Sequence, residues 1–244
     1  MYYIEVLRTW RVFWRYLIVL AVLFLLVSVL YDILPHGKSD DAGVLYSAGG
    51  HAAIVAFICL LFASVFGSSL SRHLDHLDFA LTKPRDRTAF VGSVLGIDVL
   101  SLFAFFIATT IAVIALHIAS GQTHGVVFDA ASWFGIALAF GSVLAWYAIV
   151  QAVSCGRDAA GWALAGVWVA ALVLHFLSLA NLGPGLNALI AALNFLNPIA
   201  YLSTIPFVAT LGVPPSLAIH AIAIYFVAAA AAFVALLRWQ RVEA

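Results

Sequence analysis

The chain has 244 residues, of which 65% are hydrophobic and 9% charged. Soluble domains run at about 45–50% apolar and about 25% charged; with a mean hydropathy of +1.11, this chain is read as a polytopic membrane protein, and soluble enzymes and disordered chains are excluded. Eleven basic residues balance eleven acidic ones, so net charge selects no partner, and no nucleic acid is expected.

Residues 1–15 place Glu5, Arg8, Arg11 and Arg15 at three- and four-residue steps, with Tyr3, Val6, Leu7, Trp10 and Trp14 on the other sides. This pattern describes a helix lying in the membrane interface; the alternative is an N-terminal extension of the first span. A bilayer core needs about 20 apolar residues per helix. That length predicts spans at about 16–34, 52–70, 89–118, 133–153, 159–182 and 217–237. Residues 159–237 contain no Asp, Glu, Lys or Arg, a run too long for one helix. Gly183, Pro184 and Gly185 break it early, and Pro198, Pro206, Pro214 and Pro215 break it later. The apolar, Asn-dotted segment 185–215 is read as a pair of short re-entrant helices, since such backbone is tolerated where protein buries it. The rival is a seventh, Pro-kinked span. The expected fold is therefore all-α: one transmembrane domain over 1–244, with six spans, an interfacial helix and a re-entrant segment before the last span.

Basic residues decide orientation. With the N-terminus in the cytoplasm, Arg8, Arg11, Arg15, Arg72, Lys83, Arg85, Arg87, Arg157, Arg238 and Arg241 all fall inside, and only Lys38 falls outside. Both termini are expected in the cytoplasm; a seventh span would export Arg238 and Arg241. The two cysteines, Cys59 and Cys155, lie in different segments with no C-x-x-C pair, so neither a disulfide framework nor a zinc ribbon is indicated.

The inner loop 71–88 reads SRHLDHLDFALTKPRDRT. Leu74, Leu77 and Leu81 recur at helical spacing, with Asp75 and Asp78 between them. Ser71 can cap a short helix, and Pro84 stops it because the residue before a proline avoids the helical region. Arg85 and Arg87 then stand at the mouth of the third span. Such a helix either rests on the membrane or docks into a cytosolic partner.

The stretch Leu77 to Arg87, LDFALTKPRDR, resembles the loop of ABC-2 type transporter permeases. Leu77, Leu81, Pro84 and Arg87 match that loop, while Asp86 stands where serine is usual. The segment LNPIAYL, Leu196 to Leu202, is also similar to a stretch before the last span of many members. The resemblance implies the transmembrane subunit of a transporter in a prokaryotic inner membrane, an exporter working by alternating access. It also implies that Leu74, Leu77, Asp78, Leu81, Pro84 and Arg87 couple it to a separate ATP-hydrolysing subunit, with ATP and Mg on that partner. A second permease, identical or homologous, would complete the pair. The chain itself is then no enzyme and carries no cofactor. Its one P-loop fragment, Gly37-Lys38-Ser39, lacks the earlier glycine, since Asp32 stands there.

Asp98 is the lone charge deep in a span. A carboxylate in hydrocarbon costs at least about 2.5–3.5 kcal/mol, and its default reading is functional. It is protonated, hydrogen-bonded to a neighbouring helix, or facing a wet cavity as part of a translocation path; alternatively it marks a helix that protrudes into the cytoplasm. Gly92 and Gly96 form a small-xxx-small pair suited to close helix packing. His51, His117, His175 and His220 all fall toward the outer leaflet. Imidazoles at one depth can bind a metal or bracket a haem, but no two share a helix at ligand spacing, so no metal site is assigned. These histidines carry the alternative function, a non-transport membrane anchor for haem or quinone. Neither G-x-S-G nor H-E-x-x-H occurs, which argues against an intramembrane protease.

Overall fold

The computed structural model describes residues 45–72, 87–119, 125–155, 160–180, 182–210 and 212–241, all within one unit, Leu45–Ala244. The expected interfacial helix 1–15, the span 16–34 and residues 73–86 of the coupling loop lie outside the described residues. In chain order the elements are β1 (Tyr46–Ser47), α1 (Ala48–Arg72), α2 (Arg87–Ala119), β2 (Val126–Val127), α3 (Ala130–Ser154), α4 (Ala160–Leu179), α5 (Pro184–Asn194), α6 (Pro198–Leu202) and α7 (Pro215–Gln240).

The described chain is mostly helical. Five helices among the described residues are long and apolar enough to cross a membrane: α1, α2, α3, α4 and α7. Each overlaps a span expected from the sequence and extends past it by a few residues or stops just short. Between α4 and α7 the described residues form the eleven-residue α5 and the five-residue α6. At about 1.5 Å per residue neither is long enough to span. Pro184 and Pro198 each occupy the first turn of their helix, where a missing N–H costs no hydrogen bond.

The hub is α3, packed most extensively against α1 and α7. Trp146, Leu138, Val143 and Gln151 of α3 are fully buried, as are Leu60 and Val55 of α1 and Ile224 of α7. Small residues allow these approaches. A Cβ on Gly135 would stand 3.0 Å from Gly49 Cα, and one on Gly141 would meet Ile224 at 2.6 Å. Gly92 and Gly96 do not work this way. A Cβ at either meets nothing within 4 Å among the described residues, because both glycines face away from the described helices that α2 touches.

By contrast, α4 is held at few points. Its apolar window is only 6% buried, and Trp162 and Phe176 stand open. Among the described residues, polar clamps fasten it. The indole N–H groups of Trp168 on α4 and Trp146 on α3 both donate to Ser64 Oγ on α1, at 3.0 and 2.7 Å. Asn197 Nδ2 donates to Ala171 O at 2.9 Å.

A short β-pairing interrupts the all-α pattern. Tyr46 and Ser47 pair in parallel with Val126 and Val127, and Tyr46 bridges to Val208. Ser47 N donates to Phe207 O, and Ala209 N donates to Leu45 O. The segments before α1, before α3 and before α7 are thus tied together at the end of the bundle that carries His51.

Candidate functional site

At the opposite end of the bundle, three helices share a buried polar chain. Asp98 of α2 is fully buried. Tyr147 Oη of α3 donates to Asp98 Oδ2 at 2.9 Å. Gln151 Nε2, one turn along α3, donates to Tyr147 Oη at 3.3 Å. Trp239 Nε1 of α7 donates to Gln151 Oε1 at 3.3 Å. Beside it, Arg238 of α7 donates to Ala152 O at 2.6 Å. Of the readings open for Asp98, the hydrogen bond to a neighbouring helix is the one observed. Burying a carboxylate without such a partner is costly.

A cavity of about 290 Å³ lies between α2, α3 and α7, beside this chain. Leu95, Val99, Leu144 and four alanines of α7 supply most of its wall, and Tyr147, Gln151 and Tyr225 add to it, their polar atoms being bonded within the protein. Asp98 does not line it but accepts from Tyr147, which does. A cavity so lined accommodates an apolar ligand.

Below the polar chain, Val91, Val94, Cys155 and Trp239 form a small buried cluster, flanked by Leu95 and Leu236. Burial pushes the Cys155 thiol up to about 11, against a smaller opposing pull from Arg238.

The histidines divide into two groups. His51, in the first turn of α1, and His117, in the last turn of α2, have ring centres 4.8 Å apart, with Tyr46 5.5 Å from His117. The tertiary structure therefore joins two imidazoles that share no helix. Bis-imidazole haem ligation puts the rings on opposite sides of the iron with centres about 6.4 Å apart, from N–metal distances of about 2.0 Å; this pair is too close for that. His220 packs edge-on against Tyr201 at 5.5 Å, and His175 lies against Phe176. Among the described residues no group of three or more His, Cys, Asp or Glu is placed to hold a metal.

Of the residues expected to couple to an ATPase, Leu74, Leu77, Asp78, Leu81 and Pro84 lie outside the described residues, and Arg87 opens α2. Tyr147, Gln151 and Trp239 were not singled out by the sequence. A signal was available: Tyr147 and Gln151 lie four apart inside an apolar span, hence on one helix face.

On comparison with known proteins, no family model, no curated protein and no solved structure matches this chain.

Proposed function

We propose that this chain is the permease subunit of an ABC-2 type transporter in a prokaryotic inner membrane, moving its substrate by alternating access driven by a separate ATPase subunit. The observation that carries this reading is the loop LDFALTKPRDR, placed between two apolar spans and ending at Arg87 on the first turn of α2. The layout supports it: apolar helices of spanning length, then two short helices before the last. Under this reading α5 and α6 are the re-entrant pair, and the end of the bundle carrying Arg72, Arg87 and Arg238 faces the cytoplasm.

The polar chain supplies a route for coupling. Asp98 follows Arg87 by about three helical turns. A push on the start of α2 would therefore reach the bonds that tie α2 to α3 and α7, at the wall of the cavity. Substrate contact falls to the cavity's Tyr147 and Gln151, with Asp98 acting through Tyr147.

The test begins with the loop. Each leucine buried in a partner groove is worth about 1.5–3 kcal/mol, and anchors three and four residues apart are the signature of helix-in-groove docking. Affinity-tagged chain purified from its native membrane should bring an ATPase with it. Leu77→Asp should release that ATPase while the membrane helices stay folded. Full ATPase stoichiometry and substrate-stimulated turnover in the Leu77→Asp complex would sink the proposal, as would purification with no ATPase at all.

A further inference from the structure

We infer that His51 and His117 form a binding site for a divalent transition-metal ion of the zinc and copper class, at the end of the bundle away from Asp98. This site is independent of the transport reading, and nothing in it needs an ATPase.

Four observations carry it. The first is spacing. A ligating imidazole nitrogen about 2.0–2.1 Å from zinc puts each ring centre about 3.2 Å from the ion, so two rings at angles of about 90–109° have centres about 4.5–5.2 Å apart. The observed separation is 4.8 Å, with the ring planes at 80°.

The second is the setting of His51. Its Nδ1 lies 3.0 Å from Ser47 O. A carbonyl only accepts, so Nδ1 carries the proton and Nε2 carries the lone pair. Metal-ligating histidines are oriented in this way, by giving the second ring N–H to a backbone carbonyl or carboxylate.

The third is rigidity. His51 is buried, at 8% exposure. Ser47 sits in the β-pairing and donates from N to Phe207 O. Its hydroxyl continues a relay. Gly49 N donates to Ser47 Oγ, and Ser132 Oγ donates to Val127 O. Because the Ser132 proton is used there, Ser47 Oγ donates to Ser132 Oγ across 2.9 Å. The first turn of α1 is thereby fixed before any ion arrives, which lowers the cost of ordering a site. The fourth is chemical type. Imidazole suits zinc, copper and nickel, whereas calcium and magnesium prefer oxygen donors.

His117 is half-buried. Two imidazoles leave further positions on the ion to water. The ion would tie the start of α1 to the end of α2, at the far end of both helices from residues 73–86.

The test uses the full chain in detergent or nanodiscs, stripped with chelator and then titrated with Cu²⁺ and, separately, Zn²⁺. Electron paramagnetic resonance counts the nitrogens on bound copper, and equilibrium dialysis counts ions per chain. The wild type should bind an ion with two nitrogen ligands, and Zn²⁺ should raise its melting temperature. His51→Asn keeps a donor toward Ser47 O, and His117→Phe keeps an aromatic ring against Tyr46. Each should lose one nitrogen from the copper signal, weaken binding by at least about tenfold, or about 1.4 kcal/mol, and remove the Zn²⁺ shift. His175→Ala and His220→Ala should change neither. If His51→Asn and His117→Phe both keep the wild-type stoichiometry, nitrogen count and zinc shift, the pair is an aromatic packing contact and the inference is overturned. A wild type that shows no two-nitrogen copper overturns it equally.

Discussion

The Tyr147 hydroxyl is the group on which the polar chain turns. It accepts from Gln151 and donates to Asp98, so it joins an amide to a buried carboxylate. Tyr147→Phe keeps the ring and removes both bonds. We expect a loss of about 1–3 kcal/mol, the range for leaving buried polar groups short of a partner, read as a lower melting temperature in detergent. Asp98→Asn keeps a group of the same shape that still accepts from Tyr147. Under the proposed function it should fold and assemble but lose transport and ATPase stimulation, whereas normal transport by Asp98→Leu would remove Asp98 from the mechanism. At the other end, Asp129 caps α3, and Ser132 N donates to its Oδ1 at 2.7 Å. Hydrogen bonding from Ser132, with further backbone N–H groups behind it, holds this carboxyl below its ordinary value against a smaller opposing push from burial. A depressed carboxylate contributes stability above the unfolded-state value, and that contribution is lost as pH falls through the folded value. Melting should therefore drop as pH falls below about 4, and Asp129→Asn should flatten that part of the profile.

Among the elements, α6 shows how five residues organise a longer neighbour. Asn197 caps α6 by accepting from Ile199 N. Its Nδ2 donates to Ala171 O on α4 and to Asn194 Oδ1 on α5. Asn194 in turn donates to Leu174 O. One asparagine thus starts a helix and clamps the loosely packed α4. Asn197→Ala removes a cap worth about 0.5–2 kcal/mol and leaves the Ala171 carbonyl without that donor. We expect destabilisation of about 1–3 kcal/mol and faster amide exchange in residues 160–179 than in α3. Equal exchange in both helices would refute the clamp. The Asn-Pro pair in LNPIAYL was visible as a pattern, and the proline marks the start of α6. That Asn197 reaches across to Ala171 was not readable, because nothing local specifies which helix passes beside a cap.

For the whole molecule, thiol chemistry gives a direct readout. Cys59 and Cys155 are the chain's two cysteines, and both are buried. The thiolate is the reactive form, and with Cys155 pushed up to about 11 almost none is present at neutral pH. We expect no maleimide labelling of the folded protein and two labels per chain after denaturation. That silence permits a topology test. A cysteine placed at Ala244 should be labelled from the cytoplasmic side alone if the charge distribution sets orientation; labelling from outside intact cells would reverse the assignment.

Composition, run length and proline placement determined the membrane class and the approximate positions of α1, α2, α3, α4 and α7, because apolar length against bilayer thickness is a property of each segment alone. The lone carboxylate at Asp98 was equally plain, since one charge stands out in a greasy helix. Its partners were not. Tyr147 bonds it, and Gln151 and Trp239 extend that chain, only because α3 packs beside both α2 and α7, and a largely apolar helix carries little information about which neighbour each face will meet. The same holds for His51 and His117. They lie on separate helices, far apart in the chain, and only the packing of α1 beside α2 brings their ring centres to 4.8 Å. Contacts across helices depend on crossing positions and rotation, which the tertiary packing of every helix decides together.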